Sequence, residues 1–256
     1  MSVAACADLV AAGDPDRFAA TMAAPVAARA VLWPLYAVNL EIARAPWASA
    51  EPMVAEMRLQ WWIDTIGDLA AGRDRRGHPV TEALAPILAA DPGLAPLLAG
   101  MAGARRWDCW REPFADRAGF DDYLDATSGN LAWAAARALG APAASEPAIR
   151  DFAWGAGLAA FLRAAPELAA RGRVPFHDDR PEALRLLAAE GRARISRARA
   201  ASIPRAARPA LWTGASASAL LGLAERAPER IAEGTLQLSE FRRKWALLSR
   251  ALTGRV

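Results

Sequence analysis

The sequence predicts an all-α protein folded as one domain over residues 1–256, and three observations carry that reading. Ala, Leu, Arg and Glu dominate while β-branched and aromatic strand formers are sparse, so summed propensity favours helix over strand. The 18 Pro and 18 Gly fall mostly between apolar-periodic segments, as in Ala24-Pro25, Asp91-Pro92-Gly93 and Gly140-Ala141-Pro142, where they stop helices rather than form linkers. Hydrophobic residues fill 54% of 256 positions, enough for one substantial core.

The elements follow in order. Asp14-Pro15-Asp16-Arg17 reads as an N-cap, an N1 proline and an acidic first turn, so a helix should run from there to about residue 23. A long helix is expected over 26–44, and a third, opened by Ser49 to Pro52, over 53–70. Residues 72–79 form a charged loop. Shorter helices are expected over 80–90 and 94–110, then 120–139, 147–169, 181–202, 208–224 and 238–252. Their number, length and short Pro/Gly connections make a bundle. In the 181–202 helix the stripe Leu184, Leu187, Gly191, Ile195 and Ala198 is narrow and partly small, which suits close packing on other helices better than insertion into lipid.

Charge and composition exclude several classes. The formal net charge is +3, and Lys244 is the only lysine, so nearly all positive charge is arginine spread along the helices with no nucleic-acid-binding module. Nucleic acid is not an expected partner. Cys6 and Cys109 lack paired spacing, which suits a reducing compartment and excludes a thiolate metal site. Residues 1–17 carry no basic n-region, and the greasy stretch 23–43 is interrupted by Arg29, Pro34, Asn39 and Glu41, too polar for a membrane span. The expected location is the cytoplasm, with peripheral contact at the inner membrane left open.

Two helix faces stand out by what they lack. Leu32, Tyr36, Asn39 and Ala43 share one face of the 26–44 helix. Gly157, Ala160, Ala164 and Leu168 share one face of the 147–169 helix, and it has no carboxylate. Asp121-Asp122-Tyr123-Leu124-Asp125 spells D-D-x-x-D, but its position after Phe120 reads as the acidic first turn of a helix, where the dipole favours negative charge. His177-Asp178-Asp179 and His78 fall in turns, where loop polarity is the better account than metal ligation.

Arg58-Leu59-Gln60-Trp61-Trp62, preceded by Ser49, Glu51 and Pro52, is an ordered string that packing alone does not explain. Together with Tyr36-Ala37, His78-Pro79, Tyr123 with Thr127 and Gly129, the frame from Leu162-Arg163 through Glu167 to Arg171-Gly172-Arg173, and the stretch from Trp245 to Arg255, it resembles the squalene/phytoene synthase family over almost the whole chain. The Ser-Glu-Pro and Arg-Leu-Gln-Trp-Trp wording is shared with the branch containing a mitochondrial complex I assembly factor with a phytoene-synthase-like domain.

The resemblance implies the isoprenoid synthase-type bundle with a central apolar cavity. Active relatives join two prenyl diphosphates, and Mg²⁺ held by aspartates neutralises the departing pyrophosphate. In the family frame those aspartates would stand at Ala43, Arg44, Trp47, Ala164 and Leu168, so the resemblance implies no catalytic or metal-binding residue here and no cofactor. Residues suited to a lipid or substrate are Tyr36, Asn39, Arg44, Arg58, Trp61, Tyr123, Gly157, Arg163, Arg171 and Arg173, the arginines because they hold phosphate without metal. Three functions follow: an accessory or complex I assembly-type factor that has lost prenyl transfer, with respiratory subunits as partners; an active prenyltransferase with an altered metal site; and a carrier of a prenyl lipid or prenyl diphosphate. A basic C-terminal helix, Phe241-Arg242-Arg243-Lys244-Trp245, offers a side for an acidic partner or lipid surface.

Overall fold

A computed structural model describes residues 3–73 and 77–256, and every described element is helical. The α-helices are α1 (Val3–Gly13), α2 (Pro15–Ala23), α3 (Val26–Arg44), α4 (Pro52–Ala70), α5 (Pro79–Ala90), α6 (Ala95–Ala104), α7 (Arg117–Leu124), α8 (Asn130–Ala138), α9 (Glu146–Ala170), α10 (Pro181–Ala200), α11 (Ala217–Arg226), α12 (Glu229–Ala232) and α13 (Glu240–Thr253). Their buried side chains form one contiguous cluster, from Cys6 and Val10 on α1 through Leu32 to Val38 on α3 to Leu220 and Leu221 on α11.

Local chemistry sets the helix ends. Asp14 caps α2 by accepting from Arg17 N–H at 2.9 Å, with Pro15 at the first helical position. Two residues past the end of α9, Gly172 has a φ of 77° that turns the chain left-handed. Gly172 N–H donates to Ala169 and Arg173 N–H to Leu168, a paired closure that folds Arg173 back toward the bundle.

The long helices stand as the pattern predicts, while four segments differ, besides the single-turn α12, which the pattern does not mark. Helix α1 lies where none is expected: its alanines give little apolar contrast, and packing of Cys6 and Val10 against α3 decides it. The 94–110 helix tightens into a 3₁₀ turn, Arg105–Cys109, which buries Asp108 and stacks Trp107 on Phe114 with ring centroids 4.0 Å apart. The 120–139 helix starts earlier, at Arg117, and is interrupted by a π turn, Asp125–Gly129. The 208–224 segment begins as a 3₁₀ helix, Arg208–Gly214, where Trp212 Nε1 donates to Arg255 C=O at 3.1 Å. Part of the expected 72–79 loop, residues 74–76, lies outside the described residues.

Among the described residues Val26–Trp47 is long and apolar enough to cross a membrane by length and composition, contrary to the expectation that its polar interruptions disqualify it. Half of its window is buried inside the bundle, as the central helix of a folded core would be.

The stripe on α10 lies inward as expected, with Leu184, Leu187, Gly191, Ile195 and Ala198 all buried. Helices α9 and α10 cross at glycines. A β-carbon at Gly155 would stand 2.7 Å from Gly191 C=O, and one at Gly191 would stand 2.9 Å from Leu221.

Candidate functional site

Helix α9 lines the centre of the molecule with small residues, and three adjoining cavities run along that face. The first, about 350 Å³, has Ala43 and Trp47 on one side and Gly157, Ala160, Ala164 and Leu168 on the other. Tyr123, Thr127 and Ser128 close it from α7 and the π turn, while Arg105, Asp108, Glu167 and Arg171 supply its polar rim. A smaller cavity of about 110 Å³ continues past Ser128, Gly157 and Ala160 to Tyr36, Leu131 and Ala210. A third, about 700 Å³, shares Ala156, Ala160, Thr213 and Gly214 with the second and reaches Arg163 and α13.

Close backbone approach explains the small residues. A β-carbon at Gly157 would lie 2.4 Å from Ser128 Oγ, so α9 can meet the π turn only with glycine there. The π turn is itself held by Thr127, whose hydroxyl donates to Tyr123 C=O at 2.6 Å. Two apolar-periodic segments therefore converge on one wall.

The rim is electrostatically built. Tyr123 OH donates to Asp108 at 3.0 Å and accepts from Arg105 Nη1 at 2.9 Å, while Arg105 also donates to Asp108 at 3.0 Å. Burial opposes the Arg105 charge, yet Tyr123 and the Asp108 carboxylate more than offset it and hold the guanidinium above its ordinary value. Burial pushes the Tyr123 phenol well up, and the Tyr36 phenol up to about 12. Neither tyrosine is a base at neutral pH. Arg173 is buried: Nη2 donates to Asp108 C=O, and Nη1 has no hydrogen-bond partner. Burial, with Arg111 nearby, lowers the Arg173 pKa. Arg171 and Arg173 both stand over the Trp47 ring, 4.6 and 5.5 Å from its centroid, and line an adjoining cleft of about 820 Å³.

Carboxylates near this space are occupied. Asp108 is bound to Arg105, and Glu167 to Arg171 at 2.5 Å. Among the described residues no three of His, Cys, Asp and Glu gather as a metal-ligand set, and the donors present do not fit a magnesium cluster.

The expected site residues divide. Tyr123, Gly157 and Arg171 line the first cavity, together with Ala43, Trp47, Ala164 and Leu168, the positions at which the resemblance implies aspartates in active relatives. Tyr36 lines the second, where its hydroxyl donates to Ala210 C=O at 3.2 Å and Arg17 covers its ring. Arg163 lines the third, 3.8 Å from Asp16, and Arg173 lies behind Trp47. Arg44, Arg58 and Trp61 do not join them. They line a separate cleft of about 210 Å³ with His78, because Arg44 is rotated about 100° from Ala43 around α3. Asn39 is half-buried and lines none of these cavities.

The acidic strings are structural. Asp121 is past the first turn of α7, which begins at Arg117, and Asp125 opens the π turn; they accept from Arg117, Trp154 and Arg150. His78 caps α5 by accepting from Val80 N–H at 3.3 Å, and Asp178 is held down at about 2 by hydrogen bonds from Arg180. Sequence reasoning missed Arg105, Asp108, Ser128 and Phe161 in the cavity wall. The one signal for Asp108 was its place between Trp107 and Cys109 within a string of arginines, Arg105, Arg106 and Arg111.

Comparisons with known proteins bear on the same region. A family model described as squalene/phytoene synthase matches residues 10–179. No curated protein sequence matches. Among solved structures, a dehydrosqualene synthase determined in complex with ligand is similar in fold at a TM-score of 0.75, covering 98% of this chain and 95% of its own, with 14% sequence identity.

Proposed function

This chain belongs to the squalene/phytoene synthase family, and we propose that it binds a prenyl lipid with an anionic head without magnesium-dependent condensation, acting as an accessory factor of the complex I assembly type. The observation that carries the reading is the occupation of both rim carboxylates, Asp108 and Glu167, by Arg105 and Arg171. No aspartate stands at Ala43, Trp47, Ala164 or Leu168 to complete a metal clamp.

Magnesium in active relatives supplies the positive charge that stabilises departing pyrophosphate. This chain's residues supply binding instead. Arg171 and Arg173, stacked on Trp47, offer guanidinium donors to phosphate oxygens, and the orphaned Nη1 of Arg173 gains a partner when an anion arrives. The Arg105–Asp108–Tyr123 cluster fixes the inner rim. Gly157, Ala160 and Ala164 leave room for a hydrocarbon chain, while Leu124, Phe161 and Leu168 exclude water from it.

The accessory role rests on the shared Ser49-Glu51-Pro52 and Arg58-Leu59-Gln60-Trp61-Trp62 wording and on where those residues stand. Met53, Met57 and Trp61 are exposed at successive turns of α4, away from the cavity, a surface suited to a protein partner.

Prenyl diphosphates should raise the melting temperature of the purified protein without added magnesium, and Arg171→Ala should weaken that response. No shift with diphosphates or prenyl alcohols, and no lipid in native mass spectrometry, would remove the binding reading. Turnover of farnesyl or geranylgeranyl diphosphate that a chelator abolishes would restore the enzyme. In the cell, deletion should lower assembled NADH dehydrogenase and leave carotenoid and hopanoid profiles unchanged; the reverse pattern sinks the assembly role.

A further inference from the structure

The last helix, α13, is built inside out. Phe241, Trp245, Leu248 and Leu252 recur at i, i+4, i+7 and i+11 and are 74%, 60%, 47% and 76% exposed, and the helix has no buried residue. Phe241 and Trp245 stack on each other in solvent, 6.3 Å apart. The side toward the bundle carries Arg243, Leu247 and Arg250, and the buried Nε atoms of both arginines lack a hydrogen-bond partner. A helix that meets the core through only Leu247 and Ala251 among its apolar residues, with its aromatics outward, has a wider apolar face prepared for another phase.

Charge identifies that phase. Within α13 four basic residues, Arg242, Arg243, Lys244 and Arg250, face one acid, Glu240. At about 100° per residue, Arg242 and Lys244 lie on the two flanks of the apolar stripe, where long basic side chains reach headgroups while the stripe enters the acyl boundary. Arg255 follows the helix end, and Arg205 stands against Gly254. Among the described residues Arg199, Arg205, Arg242, Arg250 and Arg255 have no acidic partner, and burial together with the adjacent Arg250 charge depresses the Arg199 pKa. A twofold contact through this helix would set the flanking cations against their own copies. An anionic bilayer opposes them with phosphate.

We propose that α13 is an interfacial helix that docks this protein on an anionic membrane surface, with Phe241, Trp245, Leu248 and Leu252 in the lipid and Arg242 and Lys244 at the headgroups. The cavity of about 700 Å³ is lined by Arg243, Lys244 and Leu247 of the same helix, so docking sets the bilayer beside the groove along α9. The proposal is independent of what that groove holds.

Flotation of the full chain with vesicles, in the absence of any prenyl ligand, tests it. The protein should float with phosphatidylglycerol-containing vesicles, fail to float with phosphatidylcholine alone, and dissociate as salt rises. Phe241→Ser with Trp245→Ser should weaken binding about tenfold or more while circular dichroism and melting stay unchanged. Arg242→Gln with Lys244→Gln should weaken it less and reduce the salt dependence. No binding to anionic vesicles overturns the proposal, as does equal binding by the Phe241→Ser/Trp245→Ser variant. A soluble dimer that this variant dissociates, with no vesicle binding by the parent, assigns the stripe to a second copy instead.

Discussion

Helices α10 and α13 are both amphipathic and arginine-rich, and they use their apolar faces in opposite ways. On α10 the stripe from Leu184 to Ala198 is buried between α9 and α11, and outward arginines find acids on both of those helices: Arg194 and Arg197 pair with Asp151 and Arg192 with Glu225, while Glu190 of α10 receives Arg117 of α7. On α13 Phe241, Trp245, Leu248 and Leu252 point to solvent, and among the described residues only Arg243 and Lys244 have acidic partners, Asp16 and Glu240. Small residues make the difference. Gly191 lets α10 approach α9 closely enough for its stripe to be covered, whereas the bulk of Phe241 and Trp245 has no matching groove.

The largest test of that contrast is Gly155→Leu. A first carbon already meets Gly191 C=O at 2.7 Å, a backbone atom that cannot swing aside, so the variant should lose about 3 kcal/mol or more, read by urea denaturation. A loss under about 1 kcal/mol would mean that the crossing is looser than its geometry. Next, Leu187→Ala on α10 should cost about 2–3 kcal/mol, while Leu248→Ala on α13 stays within about 0.5 kcal/mol. Equal losses would place both stripes in packed surroundings and dissolve the contrast.

The smallest test uses pH. Burial opposes ionisation of Glu190, but hydrogen bonds from Arg117 and Arg194 prevail and hold its pKa below the usual 4.5. A depressed folded-state pKa stabilises the fold above the unfolded value and loses that contribution as pH falls through the folded one. Glu190→Gln should therefore lower Tm modestly near neutrality, and the difference should close well below pH 4.5. On α13, Glu240 is fully exposed and is lowered by its hydrogen bond from Lys244. Glu240→Gln should leave Tm unchanged at every pH, and a clear change would tie that end of α13 to the core.

The functional region divides along a similar line. The face Gly157, Ala160, Ala164 and Leu168 was legible because helical spacing alone aligns it, and the tertiary structure sets Ala43 and Trp47 opposite. Arg44 stands apart from Ala43, in a separate cleft, because neighbours in a helix are about 100° apart around its axis. Asp108 and Arg105 were not legible as a rim: their partner Tyr123 is 15 residues from Asp108 and 18 from Arg105, across a 3₁₀ turn that periodicity does not encode.

Sequence by itself determined the helical class, most helix limits and the small-residue alignment of Gly157, Ala160 and Ala164 on α9, since propensity, Pro/Gly punctuation and residue spacing are local properties. It could not determine which apolar face meets the core, where Arg171 and Arg173 find Trp47, or that Asp108 and Glu167 are already held by arginine. Those were decided by packing, because burial and ion pairing depend on what the rest of the chain brings within a few ångströms, and two helices with the same periodicity can be folded against entirely different neighbours.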